Sequence, residues 1–233
     1  MIILKFVMVV LVAYLLGAIP FGKMVSRFFA NVDITQHGSG NIGGTNVMRT
    51  LGLGPAAMVI IGDLGKAFLS VMLARATLGV GWHYYAGFPP HWDYLPVLAE
   101  VAAALACMLG HNWSVYIRFK GGKGVAAYFG GWIAMFLLIA GIGALILIPT
   151  VVVTRHMSKG SILAALGTMC ALMVLTVFFG VSPIYLIYSV IAAVIIVFQH
   201  RKNIDRLQRG TELKLDNGVL RGVQSGDNAK EGQ

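Results

Sequence analysis

The sequence predicts an all-α polytopic membrane protein with about seven transmembrane helices, some of them short, its N-terminus outside and its C-terminus cytoplasmic. Three observations carry that expectation. Of the 233 residues, 58% are hydrophobic and 12% are charged, with a mean hydropathy of +0.79, whereas soluble domains carry about 25% charged residues. The charges gather in short polar segments between uncharged runs long enough to enter a bilayer. The 18 lysines and arginines, set against 9 acidic residues, are spread unevenly among those segments, and such asymmetry orients membrane helices. Residues 1–215 are expected to form one membrane domain, and 216–233, where Gly, Asn and Asp accumulate, a flexible cytoplasmic tail.

The first uncharged run, 6–22, lies between Lys5 and Lys23 and has 17 residues, about the minimum for a span. A weak basic start and no small-x-small cleavage pattern favour a first transmembrane helix over a signal peptide. Segment 32–52 is polar and glycine-rich. It contains Gly38-Ser39-Gly40-Asn41-Ile42-Gly43, a literal GxGxxG with Asp63 twenty residues later, but a dinucleotide site needs a βαβ sheet and the flanks here read as membrane helices. What remains is a loop of small donors, Ser39, Asn41, Thr45 and Asn46 with amides such as that of Gly43, closed by Arg49. Such a loop can ring an oxyanion, the guanidinium acting as a bidentate fork.

A second span, 50–74, is interrupted by Asp63 and Lys66. At i and i+3 they share a helical face, so each can neutralise the other as a structural ion pair in a medium where a lone charge is costly. Arg75 is expected to snorkel outward from the far end. The connector 76–93, with Trp82, Tyr84, Tyr85, Phe88 and Trp92, reads as an interfacial aromatic belt, with His83 and His91 solvated. A third span, 94–109, carries Glu100 one or two turns inside.

The stretch 111–125, HNWSVYIRFKGGKGV, brings Arg118, Lys120 and Lys123 together and sets Gly121, Gly122 and Gly124 around the last of them. Glycines let backbone amides approach an anion closely, and a helix starting at Val125 would aim its free N-terminal amides at the same spot. The stretch reads as a phosphate cradle, since a loop that merely orients the protein does not call for the Gly-Gly-Lys-Gly order. It is not a nucleotide P-loop, because Gly124 rather than Ser or Thr follows Lys123.

Residues 124–154 carry no charge for 31 positions. Two short crossings, broken around Gly141 and Gly143, would return the basic patch at Arg155 and Lys159 to the side of the glycine-lysine loop. Each crossing of ~15 residues reaches about 23 Å against a core of about 30 Å, so it must thin the bilayer or partly re-enter. Residues 160–199, with Gly180-Val181-Ser182-Pro183 at their middle, form a helical hairpin. This parity puts 15 of the 18 cations on one face, whereas a single crossing would divide them 6 against 11; the first arrangement obeys the positive-inside rule. The tail opens with QHRKNIDRLQRGTE, in which His200 and Asn203, joined by Arg206, would share one face of a continuing helix.

The net charge of +9 and pI near 9.8 suit anionic lipid or phosphorylated substrates better than nucleic acid. Cys107 and Cys170 lie in apolar runs and suggest no disulfide framework, and the six histidines form no ligand-spaced cluster. No metal or other cofactor is expected.

Three blocks, GSGNIGGTNVMRTLG (38–52), GHNWSVYIRFKGGKGV (110–125) and HRKNIDRLQRGTE (200–212), together resemble the bacterial acyl-phosphate:glycerol-3-phosphate acyltransferases of phospholipid synthesis, over essentially the whole chain through Glu212. The resemblance implies a multi-pass enzyme of the bacterial cytoplasmic (inner) membrane, its active site at the cytoplasmic face. It would move an acyl chain from acyl phosphate to the 1-hydroxyl of glycerol 3-phosphate, giving lysophosphatidate and phosphate, as a monomer among membrane lipids and without metal, cofactor or nucleic acid. The residues it implies as catalytic are Ser39, Arg49, Lys120, Lys123, His200 and Asn203. Asn41, Gly43, Thr45, Asn46, Gly121, Gly122 and Gly124 would help hold the acyl phosphate, while Ser161, Arg206 and Glu212 complete the substrate-binding set. Lys120 or Lys123 would contact the phosphate of glycerol 3-phosphate, and either His200 or the donor's own phosphate would take the hydroxyl proton. Ser114 stands where the family pattern usually has proline, which is expected to loosen the approach to the loop.

Two other readings fit some of these residues. His200 and Asp205 fit the H-x4-D pattern of thioester-using acyltransferases, although five residues on a helix would turn them about 140° apart. A transporter for an anionic metabolite could use Asp63 and Lys66 at mid-membrane, but the chain lacks the internal repeat such folds carry.

Overall fold

A computed structural model describes residues 2–78 and 94–215, and among these the chain is helical with no strand. The belt expected in the connector and the tail expected beyond 215 therefore lie outside the described residues. Helix α1 (Ile2–Ala18) ends four residues before the sequence limit, because Pro20 lacks the N–H that would continue the ladder. Pro20 instead precedes α2 (Phe21–Ala30), a short amphipathic helix. The polar segment expected to be a loop holds a 3-10 turn, Ile34–Gln36, and α3 (Gly44–Leu51). Helices α4 (Leu53–Leu78) and α5 (Tyr94–Asn112) follow.

The uncharged run is indeed divided, into α6 (Val125–Met135) and α7 (Leu137–Thr154), but the break is not at its glycines. It falls at Phe136, a single extended residue with φ −155° and ψ 91°. Gly141 and Gly143 sit inside α7, and at Gly143 the reason is packing: a Cβ there would press on Phe129 of α6 at 2.7 Å and on Thr168 at 3.0 Å. Glycine brings the helices together here, which outweighs its cost of about 1 kcal/mol in a helix interior. Helices α8 (Met157–Phe179) and α9 (Ile184–Gln199) form the expected hairpin, and α10 (Arg201–Gln208) leaves α9 at 56°.

By length and composition five stretches are long and apolar enough to span: Ile2–Ala30, α4, Tyr94–Ile117, α7 and α8. A sixth, α9, qualifies only together with the bent α10, while α6 is apolar but has 11 residues. The chain is thus an all-helical, multi-pass membrane protein. Its interior is aromatic: Trp132, Tyr128, Tyr185 and Tyr188 are fully buried, and the Tyr128 and Tyr188 rings stack at 5.5 Å. Each such side chain removes 150–250 Å² from solvent, roughly speaking, and the hydroxyls are satisfied, Tyr188 donating to the Tyr128 carbonyl and Tyr128 meeting Thr168. Outward positions such as Leu145, Val153 and Phe178 are exposed apolar groups, as a lipid-facing surface requires.

Arg75 does not snorkel. Helix α4 continues past it to Leu78, which keeps the guanidinium inside the bundle. There it pairs with Glu100, Nε to Oε1 at 2.8 Å and Nη2 to Oε2 at 3.2 Å, and Tyr185 donates to the same carboxylate at 3.4 Å. Ser114 likewise tightens rather than loosens its segment, since its buried hydroxyl donates to the Ala18 carbonyl at the end of α1.

Candidate active site

The three motifs meet at one cavity of about 630 Å³. The first loop supplies Ser39, Asn41, Gly43, Thr45, Asn46 and Arg49 to its wall. Asn46 organises that loop: its buried amide nitrogen lies within 2.8–3.1 Å of the carbonyls of Ile34, His37 and Asn41, while its Oδ1 accepts the Ser39 N–H at 2.8 Å. Asn41 Oδ1 accepts the Gly43 N–H at 2.8 Å, an Asx turn that opens α3. These amides and side chains therefore build the wall, and Ser39, Thr45 and Arg49 furnish its remaining polar groups.

The glycine-lysine loop is divided in the same way. The Gly121 and Gly122 N–H groups donate to the Asn112 and His111 carbonyls at 3.1 and 2.9 Å, so they cap the C-terminus of α5. Lys120 is exposed and outside the cavity, whereas Lys123 enters it. Gly124, at φ +82°, adopts the left-handed conformation that turns the chain into α6. The first amides of α6 have no helical acceptor, and Val125 and Ala126 line the cavity, so the positive pole of that helix faces the site.

Lys123 Nζ donates to Asn203 Oδ1 at 2.6 Å. Burial draws its pKa down to about 8, Arg206 and Arg49 pushing the same way against the attraction of Glu212. Asn203 in turn donates to Glu212 at 2.6 Å, and Glu212 also accepts from Ser158 at 2.7 Å and Arg206 at 2.8 Å. Burial alone would raise the Glu212 pKa, but these hydrogen bonds outweigh it and hold the carboxyl below its ordinary range. Arg206 is consequently a partner of Glu212 and not part of the cavity wall. Arg49 donates to the Leu213 carbonyl at 3.0 Å, tying the segment after α10 across to α3.

His200 sits at the bend beyond the last residue of α9 and lines the cavity. Its Nδ1 lies 2.8 Å from the Ile196 carbonyl, which can only accept, so Nδ1 carries the proton and Nε2 is left as an acceptor. Burial first, then the charge of Lys123, lowers its pKa to about 4, leaving it neutral near physiological pH. Ser161 also lines the wall, its hydroxyl bonded back to Met157 at 2.8 Å. Asp205, by contrast, points to solvent and pairs with Arg209 at 3.0 Å, away from His200.

The remainder of the cavity is apolar. From its polar end the space runs along Phe129, Ile133, Leu137, Ala140, Ala144 and Ile148 of α6 and α7. In a uniformly apolar run nothing distinguishes a residue that lines a trough from one that meets lipid. Asp63 and His111 also line the wall, Asp63 as a member of the ion pair expected from its spacing and His111 at the helix end where the glycine-lysine stretch begins. Among the described residues no group of three His, Cys, Asp or Glu side chains is placed to hold a metal ion.

The chain is similar to known proteins over most of its length. The family model described as "Glycerol-3-phosphate acyltransferase" matches residues 7–210. "Glycerol-3-phosphate acyltransferase 3" of Dehalococcoides mccartyi (strain ATCC BAA-2266 / KCTC 15142 / 195) is 38% identical over 217 residues, covering 93% of this chain and 98% of its own. The glycerol-3-phosphate acyltransferase of Halalkalibacterium halodurans is 36% identical over 208 residues, with 89% and 94% covered. The crystal structure of PlsY (YgiH), an integral membrane glycerol 3-phosphate acyltransferase, is similar in its glycerol 3-phosphate form, with a TM-score of 0.79, 30% identity, and 92% of this chain and 98% of that one covered. The lysophosphatidic acid form gives a TM-score of 0.77 at the same identity and coverage.

Proposed function

The chain belongs to the glycerol-3-phosphate acyltransferase family and is an integral-membrane acyltransferase; from that premise we propose that it transfers an acyl chain from acyl phosphate to the 1-hydroxyl of glycerol 3-phosphate, producing lysophosphatidate and inorganic phosphate. The observation that carries this reading is the shape of the cavity, a cationic, hydroxyl-lined end continuous with an apolar trough between α6 and α7. A phosphorylated lipid needs both. Its chain would lie along Phe129, Ile133 and Leu137, and its phosphate would meet Ser39, Thr45, Lys123 and the first amides of α6.

In this reading glycerol 3-phosphate is held beside the donor by Arg49, Ser161, His200 and Asn203. Its hydroxyl oxygen attacks the acyl carbonyl carbon, the new ester bond forms, and the bond to phosphate breaks. Cations and amides at the polar end favour the charge that moves onto the departing phosphate, and alignment of the two bound substrates supplies much of the rest. His200 Nε2, unprotonated, accepts the hydroxyl hydrogen bond and orients it. A base held near 4 is poorly matched to taking the proton outright; the donor phosphate, set next to the hydroxyl, is the better acceptor, which makes the reaction substrate-assisted.

The positive-inside rule, applied to the basic loops that carry these motifs, supports a cytoplasmic-face site in the bacterial inner membrane, and the residues assigned to the reaction all come from one chain. The test is donor-dependent acylation by the purified protein in detergent, without added metal. Glycerol 3-phosphate is offered with palmitoyl phosphate, palmitoyl-CoA or palmitoyl carrier protein. Lysophosphatidate from palmitoyl phosphate alone is the expected outcome; product from the thioesters and not from the acyl phosphate would overturn the donor assignment.

A further inference from the structure

An ionisable cluster that the proposed reaction does not use is Asp63, Lys66 and His111, of which Asp63 and His111 line the cavity and Lys66 lies behind them. All three are buried, at 3%, 4% and 4% exposure. Lys66 Nζ donates to the Ile19 carbonyl at 3.0 Å, lies 2.7 Å from Asp63 Oδ1, and lies 2.9 Å from His111 Nδ1. An ammonium beside a carboxylate has hydrogens to give and no lone pair to accept with. Contact with His111 Nδ1 therefore requires that nitrogen to be the acceptor, which puts the ring proton on Nε2. Asp63 Oδ1 is nearer the ammonium, at 2.7 Å, than it is to Nδ1, at 3.3 Å, so its closer partner is Lys66.

The other edge of the ring faces the loop. Nε2 occupies the space a Cβ on Gly122 would fill, and His111 lines the cavity that holds Lys123 and Gly124. We propose that Lys66 locks His111 as its neutral Nε2–H tautomer, so that His111 presents a hydrogen-bond donor to the phosphate oxygens of the acyl phosphate at the glycine-lysine loop. Lys66 is then a positioning residue, and Asp63 is its counter-charge. The cavity acquires two histidines of opposite sense: His200 accepts through Nε2 and His111 donates through it. This assignment rests on the phosphorylated-donor reading above.

Ring ¹⁵N spectra of the full-length protein in detergent test it, with the His111 signals identified by their loss in His111→Gln. The expected spectrum is a neutral ring protonated at Nε2, whose N–H signal moves and saturates as inorganic phosphate is added. An imidazolium, an Nδ1–H tautomer, or an Nε2–H signal unmoved by saturating phosphate overturns the proposal. Kinetics give a second readout. A Gln amide can reach the place of Nε2–H, so His111→Gln should retain about tenfold more kcat/KM for acyl phosphate than His111→Leu, the worth of a hydrogen bond to a charged group, with the difference in KM. Equal impairment of the two variants at equal thermal stability would mean that the ring only fills space. A wild-type protein that does not turn over acyl phosphate would defeat the function reading, while the tautomer and the phosphate titration would still decide the role of His111.

Discussion

Lys123 Nζ donates to Asn203 Oδ1 at 2.6 Å across 80 residues of sequence, joining the loop that opens α6 to the helix that follows the bend after α9. Two motifs that each look like an independent anion site are thereby one device. The amine is half-buried, with Arg49, Arg206 and Glu212 acting on its charge, so that charge changes around pH 8.

That dependence has a definite sign. Below about 8 the Lys123 amine is cationic and attracts phosphate; above it the free amine is neutral. The kcat/KM profile should therefore fall with a limb near pH 8, and Lys123→Arg should move that limb upward because a guanidinium stays charged. Lys120→Met, outside the cavity, should change kcat/KM by less than about threefold, whereas Lys123→Met should cost about tenfold or more.

Gly122 has no room for a side chain, since a Cβ would collide with His111 Nε2. Gly122→Ala should lower kcat/KM by about tenfold or more by displacing the loop. The contrast is Gly65, where a Cβ meets nothing within 4 Å. Gly65→Ala should raise stability by about 0.5–1 kcal/mol through helix propensity, read from thermal unfolding in detergent.

The Arg75–Glu100 pair does not line the cavity and is buried on both sides, at 7% and 1% side-chain exposure. Arg75→Met alone should destabilise by about 3–5 kcal/mol, because it leaves an uncompensated carboxylate inside the bundle. Arg75→Met combined with Glu100→Leu should recover most of that loss, and a double-mutant cycle on thermal unfolding measures the difference.

Glu212 accepts hydrogen bonds from Ser158, Asn203 and Arg206 and titrates below its ordinary value of 4.5. A depressed carboxyl stabilises the fold above its unfolded pKa, and that contribution is lost as pH falls through the folded pKa. Glu212→Gln should cost about 1–3 kcal/mol near neutral pH. The gap between the two melting curves should close on acidification below about 4.5, the ordinary glutamate range.

Asp205 is tied to Arg209 on the surface. Asp205→Asn should alter turnover by less than about threefold, as surface substitutions usually do. Loss of turnover in that variant would instead revive a His200–Asp205 dyad. His200→Gln should chiefly raise KM for glycerol 3-phosphate if His200 orients the hydroxyl, and chiefly lower kcat if it takes the proton.

How much of this was legible beforehand follows from the reach of each interaction. The membrane class, the start of a helix at Val125, the α8–α9 hairpin and the Asp63–Lys66 pair could be read from the chain itself. Each is set by composition, by local punctuation, or by an i,i+3 spacing that any helix would realise. The division of work inside the motifs could not be. Lys120 and Lys123 are three apart in one loop, and only the packing of α10 against it places Lys123 in the cavity and leaves Lys120 outside. Gly121 and Gly122 look like an anion nest until α5 is found beneath them, taking their amides. Arg75 seemed destined for the interface until Glu100, 25 residues on, arrived beside it. The apolar trough left no mark at all, because hydrophobicity records that α6 and α7 avoid water and not which of their faces meet lipid and which meet a substrate. Sequence by itself thus determined the class of molecule and the polar residues available to it. Tertiary structure alone decided which of those residues share a cavity, since a hydrogen bond or a buried charge pair depends on a partner that local pattern cannot bring near.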